Sequence, residues 1–339
     1  MKQQNNPLWL LLFWGLAAIL TPLLAVFLGV ADIPLIDVWS AITGNGSANT
    51  HSIIWDIRLP RIITGALAGI HLAVAGLILQ NITRNPLADP SIMGISQGAT
   101  FAVSLFLLLA MSQEYHGSAA LPALPLEYLP TIGLGGGLLA GLIIYYLGSH
   151  AELSHLRLTL CGIAVGAVLH ALAIGMIAGW GSNRMEIMLE WLTGSLYARS
   201  WEHVRYLLPY TIIGLCALIF IRRPLNLLQF DPLSAASFGL PYQKHFTIVL
   251  AFACLLAASA VGTVGPISFI GLVVPHLARF LSRKSGQFIL PLTIFLGMIT
   301  MTLSDLAGRL IGQADDIPVG VMSAFFGAPL FIVLLRKIP

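Results

Sequence analysis

The residues of this chain that could do chemistry are few and stand apart. None of its four lysines, Lys2, Lys244, Lys284 and Lys337, follows a glycine. The sequence therefore holds no Gly-Lys loop whose backbone amides and ammonium could cradle the phosphates of a nucleotide, and the chain is expected to be no enzyme in its own right. No His-Glu-x-x-His zinc helix occurs, and the serines and histidines show no local nucleophile signature. Cys161, Cys216 and Cys254 fall in apolar segments without pairing or ligand spacing and read as packing residues. An ion-coupled carrier needs carboxylates at membrane depth, yet every Asp and Glu falls in a loop or at the end of an apolar stretch. No carboxylate or thiolate cluster that could coordinate a bare metal ion stands within those stretches. The chain itself is expected to bind no metal and no cofactor.

The elements that position these residues follow from how charge is distributed. Charged residues are 9% of the chain and hydrophobic ones 57%, against about 25% charge in a soluble domain; mean hydropathy is +0.88. The stretches Ile62 to Thr83, Leu158 to Asn183, Phe246 to Leu277 and Ser285 to Ser304 carry no charge. At ~1.5 Å per residue each crosses or nearly crosses ~30 Å of hydrocarbon. The sequence reads as an all-α polytopic membrane protein of about ten transmembrane helices. The spans are expected near Leu8 to Val30, Ile62 to Leu79, Ile92 to Met111, Ile132 to Leu147, Leu158 to Gly179, Tyr206 to Ile221, Phe246 to Val264, Ile267 to Leu281, Phe288 to Leu303 and Val319 to Leu335. Gly262, Gly265 and Pro266 interrupt one long apolar run. Either the helix is broken there, facing protein or a wet cavity, or one long helix is kinked by its proline.

Basic loops stay in the cytoplasm. With ten spans and the N-terminus inside, eleven basic and three acidic residues fall on the inner side, giving +8, and six basic and eleven acidic on the outer side, giving −5; together these make the chain's +3. Both termini are then cytoplasmic. The first apolar run, about 23 residues, exceeds a signal-peptide core and reads as a retained span. Small residues recur every fourth position at Gly65, Gly69 and Ala73, at Gly137 and Gly141, and at Gly162 and Gly166. That spacing lines a shallow groove along one helix face and lets backbones approach closely.

The longest inner connection, Arg222 to Lys244, carries its own punctuation. Asp231 can cap a helix that begins at Pro232 and runs through Leu233, Ser234, Ala235, Ala236, Ser237 and Phe238, with Gly239 and Pro241 ending it around Leu240. So short a helix is marginal in water and needs packing against its own bundle or a partner.

Several motifs stand in order from about residue 55 to the C-terminus. They are Arg58-Leu-Pro-Arg61; Arg84-Asn-Pro-Leu-Ala-Asp-Pro90 followed by Gly94-Ile-Ser-Gln-Gly98; Trp191-Leu-Thr-Gly-Ser195; Gly265-Pro-Ile-Ser-Phe-Ile-Gly271 continuing to Pro275-His-Leu-Ala-Arg279; and Gly327-Ala-Pro329. Together they resemble the permease subunits of the iron-siderophore, haem and vitamin B12 ABC importers. The resemblance implies a type II ABC importer permease fold: one transmembrane domain over residues 1–339, with a cytoplasmic loop at 222–244 and a periplasmic segment with a short helix at 181–205. It implies as partners a second permease subunit, identical or homologous, two cytoplasmic ATP-binding subunits that carry ATP and Mg, and a periplasmic substrate-binding protein. The chain would lie in the bacterial inner membrane, with no nucleic acid partner.

The resemblance also assigns residues. The segment Asp231 to Leu240 would be the helix that seats in the ATPase. Ser154, His155 and Leu156 would form the cytoplasmic gate before the fifth span, which lines the path and carries His170 and Ala173. Arg58, Arg61 and Arg309 would meet acidic residues of the binding protein, unless they pair within their own chain, Arg58 with Asp56 and Arg309 with Asp305. His71 and His170 lie well inside apolar spans and are expected to be packing histidines with hydrogen-bond partners; His276 is expected to be structural. A ferric siderophore is the expected cargo, with haem or vitamin B12 import by the same architecture as the alternative and an ion-coupled carrier or channel as a reading from another class.

Overall fold

The structure, a computed structural model, describes residues 7–31, 33–114, 126–149, 155–178, 191–282, 286–313 and 316–336. Ten helices occupy the ten expected spans. They are α1 (Pro7–Phe27), α4 (Leu59–Thr83), α5 (Ile95–Glu114), α6 (Leu129–Gly148), α7 (His155–Ala178), α8 (Trp201–Leu227), α10 (Tyr242–Val264), α11 (Ile270–Ser282), α12 (Ile289–Gly312) and α13 (Val319–Leu335). Among the described residues seven helical runs are long and apolar enough to cross a membrane, and three shorter apolar helices accompany them. The fold is all-α.

Contacts divide the chain into two compact units. The first comprises Met1–Leu77, Gly194–Thr211 and Ile267–Pro339; the second comprises Ile78–Thr193 and Ile212–Pro266.

Within the first unit α1 packs on α12, and α12 packs on α11 and α13. Two short helices that the span count passes over, α2 (Leu35–Ile42) and α3 (Ala48–Ser52), lie between the first two spans. The Ser47 hydroxyl caps α3 by accepting from the Thr50 amide at 3.2 Å. A π-helical stretch, Ile53–Arg58, joins α3 to α4, so one helical run continues from Ala48 to Thr83. Val38, Ala41, Ile54 and Ile62 close a core there with Ala25, Val26 and Leu306.

Close approach of backbones explains the glycine pattern on α4. A Cβ added at Gly69 would lie 2.3 Å from the Gly297 carbonyl oxygen of α12, and one at Gly76 only 2.0 Å from the Gly271 carbonyl oxygen of α11. Neither contact can be relieved by turning a side chain. Gly76→Val is accordingly expected to force α4 and α11 apart and to destabilise the chain by about 1–3 kcal/mol or more. Melting of the detergent-purified variant tests this, with Gly135→Ala, where nothing lies within 4 Å, as the silent control.

The second unit uses the same device. Gly137 of α6 meets Ala258 of α10, Gly141 meets Cys254, and Gly162 and Gly166 of α7 meet Met93 and Gly94. Its core joins Val103 and Leu107 of α5, Leu129 of α6, Ile177 of α7, and Trp191. Of the expected 181–205 segment, residues 181–190 lie outside the described residues.

The interruption after α10 is a break and not a kinked helix. Gly265 stands at φ +79° and Phe269 at +70°, and α11 begins anew at Ile270. A non-glycine residue with φ > 0 is uncommon. Around it the Ser323 hydroxyl donates to the Ser268 carbonyl at 3.0 Å, and the Phe269 carbonyl accepts from the Val273 amide at 2.7 Å.

Candidate functional site

Three places gather the residues expected to act. The first is an arginine and aspartate cluster in the first unit. Arg61 donates from Nε and Nη2 to Asp305 Oδ1 at 2.8 and 2.7 Å, and from Nη1 to Asp316 Oδ2 at 2.6 Å. Arg309, one helical turn on from Asp305, pairs with it at 3.0 Å. Arg58 is buried and donates to the backbone carbonyls of Val26 and Ala31, at 2.8 Å each. All three arginines expected to meet the binding protein are thus engaged within their own chain. The Arg309 to Asp305 pair is the internal alternative already weighed. Arg58 takes carbonyls in place of Asp56, which accepts from Ser52 at 2.9 Å, and Arg61 draws in Asp316. Planar forks held from two sides fix the junction of α4, α12 and the segment before α13.

The second place is the helix between α8 and α10. It forms as α9 (Pro232–Ser237), with Asp231 at the N-cap: its Oδ1 accepts from the Ser234 amide at 3.0 Å. Gly239 follows at φ +79°, the left-handed turn that ends a helix. Hydrogen bonds from the Ser234 side chain and amide hold the Asp231 carboxyl below the usual carboxylate range. Ala235 and Leu240 are buried, while Leu233 is 84% and Phe238 57% exposed. The helix is anchored on one face and presents an apolar surface on the other.

The third place is the start of α7. His155, its first residue, lies 3.2 Å through Nε2 from the Tyr242 hydroxyl of α10. Leu156 is exposed, and Ser154 lies outside the described residues. Farther along α7, His170 is exposed and Ala173, one turn on, fully buried. The packing role expected of His170 does not fit its exposure. His71 does pack, its Nε2 2.8 Å from the Thr211 hydroxyl, and His276 donates to the Leu272 carbonyl at 2.8 Å beside Phe331.

Between α4 and α5, the motif that begins at Arg84 forms a tight turn. Asp89 Oδ1 accepts from the Ser91 amide at 2.8 Å and from the Ser91 hydroxyl, and its backbone carbonyl accepts from the Met93 amide at 2.9 Å. Burial pushes the Asp89 carboxyl above the usual range, against the pull of the Ser91 bonds. Among the described residues no group of three metal-ligating side chains comes together, and Cys161, Cys216 and Cys254 are unpaired.

A profile of the FecCD transport family matches residues 17–337, nearly the whole chain. This chain belongs to the FecCD transport family. Similar proteins include the iron(3+)-hydroxamate import system permease protein FhuG of Bacillus subtilis, 33% identical over 98% of each chain. The ferric enterobactin transport system permease protein FepD of Escherichia coli is 35% identical over 95% of this chain and 93% of its own. Among solved structures, a metal-chelate type ABC transporter in an inward-facing conformation superposes with a TM-score of 0.82 at 26% identity, covering 98% of this chain and all of that one. The FecCD-family chain is therefore a multi-pass membrane permease of the type II importer fold, a permease subunit of the metal-chelate import class.

Sequence reasoning missed Asp305 and Asp316 as partners of Arg61, and Tyr242 as the neighbour of His155. The spacing of Asp305 and Arg309 is a readable signal for their pair; nothing in the sequence joins Tyr242 to His155.

Proposed function

We propose that this FecCD-family permease is one membrane-spanning subunit of an ATP-driven importer that moves a ferric siderophore from a binding protein into the cytoplasm. The observation that carries the reading is α9. A helix this short, lying between two spans, capped and anchored through Ala235, exposes Leu233 and Phe238 to water; a partner that covers them gains the stabilisation of apolar burial. That partner is the ATP-binding subunit, which brings the ATP and Mg this chain is not built to hold, and two such subunits serve two permease chains, identical or homologous. The printed activities of FhuG and FepD, iron(3+)-hydroxamate import and ferric enterobactin transport, support a ferric chelate as cargo.

In this reading α9 lies in the cytoplasm with both termini, the membrane is the bacterial inner membrane, and α2 and α3 lie outside. His155 and Leu156 at the start of α7, with Ser154 before them in sequence, close the inner end of the path. The binding protein docks on the outer side around Arg58, Arg61 and Arg309. A partner carboxylate arriving there competes with Asp305 and Asp316 for arginines already held.

Uptake of radioactive iron as a hydroxamate chelate is the direct test. Cells deleted for this chain should lose uptake and regain it with the gene restored; equal uptake with and without the chain overturns the cargo. Sidedness is tested by single cysteines in a chain whose three native cysteines are replaced. A membrane-impermeant thiol reagent added to intact spheroplasts should label Gly46→Cys and spare Ser237→Cys until the membrane is opened. The reverse pattern overturns the orientation.

A further inference from the structure

Within the second unit, three hydrogen bonds join the N-cap region of α9 to the first residue of α7. Arg84 is the residue directly after α4 and stands at φ +51°. One of its nitrogens, Nη2, donates both to the Phe230 carbonyl and to the Tyr242 hydroxyl, the latter at 3.1 Å. Phe230 immediately precedes the N-cap Asp231, and its ring lies 6.2 Å from that of Phe238 at the far end of the same helix. Tyr242 opens α10, and its hydroxyl, accepting from Arg84, keeps its own proton for His155 Nε2 at 3.2 Å. The rings reinforce the path: His155 stands edge-on to Tyr242 at 6.3 Å and tilted against Phe246 at 6.0 Å, and Tyr242 stacks on Phe246 at 6.1 Å. Phe246 is fully buried.

We propose that Arg84 and Tyr242 are positioning residues that pass the seating of α9 on to the start of α7. The inference rests on the reading of α9 as the ATPase contact and of the start of α7 as the inner closure. Its physical content is the sharing of single atoms. One guanidinium nitrogen serves both the α9 side and Tyr242, and one hydroxyl serves both Arg84 and His155. A hydrogen bond is lost over a displacement of about 1 Å, so a shift of the Phe230 carbonyl with α9 changes which partner Arg84 holds. The Tyr242 hydroxyl is then redistributed between Arg84 and His155. Bonds linked in this way polarise one another and act as a unit. The buried Phe246 ring beneath Tyr242 and His155 is close-packed and resists absorbing the movement. Arginine suits the hub because its donors are rigidly spaced.

The test uses the complete complex of permease and ATPase in vesicles, reading chelate imported per ATP hydrolysed. Tyr242→Phe removes one hydroxyl and keeps the ring. It is expected to lower import per ATP by about fivefold or more while the ATPase still co-purifies and still turns over ATP. Arg84→Lys, which keeps a cationic donor, should retain part of the coupling that Arg84→Met loses. The double variant Tyr242→Phe with His155→Phe should lose no more than the worse single change, because both remove the same link. Unchanged import per ATP in Tyr242→Phe, loss of ATPase binding in that variant, or additive losses in the double variant each overturn the relay. Ala235→Pro, which acts on α9 without touching Tyr242, separates the two readings. A fully coupled Ala235→Pro complex overturns the docking role of α9 and the relay with it. A defective one beside a fully coupled Tyr242→Phe complex overturns the relay alone.

Discussion

Asp305→Ala is expected to lower the stability of the purified chain by roughly 3–5 kcal/mol, the cost of leaving a buried ion pair without one partner. Asp305 is 2% exposed and serves two cations, accepting two bonds from Arg61 and pairing with Arg309. Without it Arg309 is left buried and unmatched, and Arg61 keeps only Asp316. Each of these arginines has few alternatives, since leaving its site means moving the end of α4 or α12. Thermal melting of the detergent-solubilised chain measures the effect, with Asp56→Ala as the comparison. Asp56 is exposed and bonded to Ser52 on its own helical turn, so its removal should stay within about 0.5 kcal/mol. Equal melting of the two variants would show that the cluster contributes nothing to the fold.

Ala235→Pro should leave insertion intact and abolish most import. The Ala235 amide donates to the Asp231 carbonyl at 2.9 Å, the bond that closes the first turn of α9. Proline removes that donor and crowds the carbonyl, costing ~3 kcal/mol or more in a helix with only six residues. The fully buried Ala235 side chain is also the anchor that holds the Leu233 and Phe238 surface in place. The expected measurement is normal chain in the membrane fraction with chelate uptake near background and little ATPase retained on purification. Normal uptake by this variant would falsify the docking assignment. Acid acts on the same helix through its cap. Because the Asp231 carboxyl titrates below the usual carboxylate range, the cap's contribution is complete above the unfolded value, near 3.8, and fades only as pH falls through the lowered folded value. This group therefore gives no pH dependence to import around neutrality.

The spans were legible because lipid punishes unpaired charge, so charged clusters punctuate the sequence where helices end. The same rule misplaces boundaries wherever charges are paired. Leu303 looked like the end of the ninth span because Asp305 and Arg309 follow it, yet α12 runs on to Gly312 since those two residues neutralise each other. The helical run of the second span likewise begins well upstream of Arg58 and Arg61, the first held by backbone carbonyls and the second by Asp305 and Asp316. The helices α2 and α3 escaped notice because they are eight and five residues long, too short to carry an apolar run. The capped helix at Asp231 was readable because all its signals are local. The partners of Arg61 were not, since Asp305 and Asp316 lie 244 and 255 residues away in sequence and only the fold joins them. The small-residue stripes announced close packing but not the neighbour, which for Gly76 is the Gly271 carbonyl.

The break before α11 has a consequence for where this chain can live. With 13 residues α11 is about 20 Å long, some 10 Å short of a ~30 Å hydrocarbon layer. With the last-turn Arg279 at headgroup level, as basic residues prefer, Ile270 starts well below the opposite surface. There the exposed Ser268 needs protein or water beside its polar groups, because acyl chains are the one medium that cannot satisfy them.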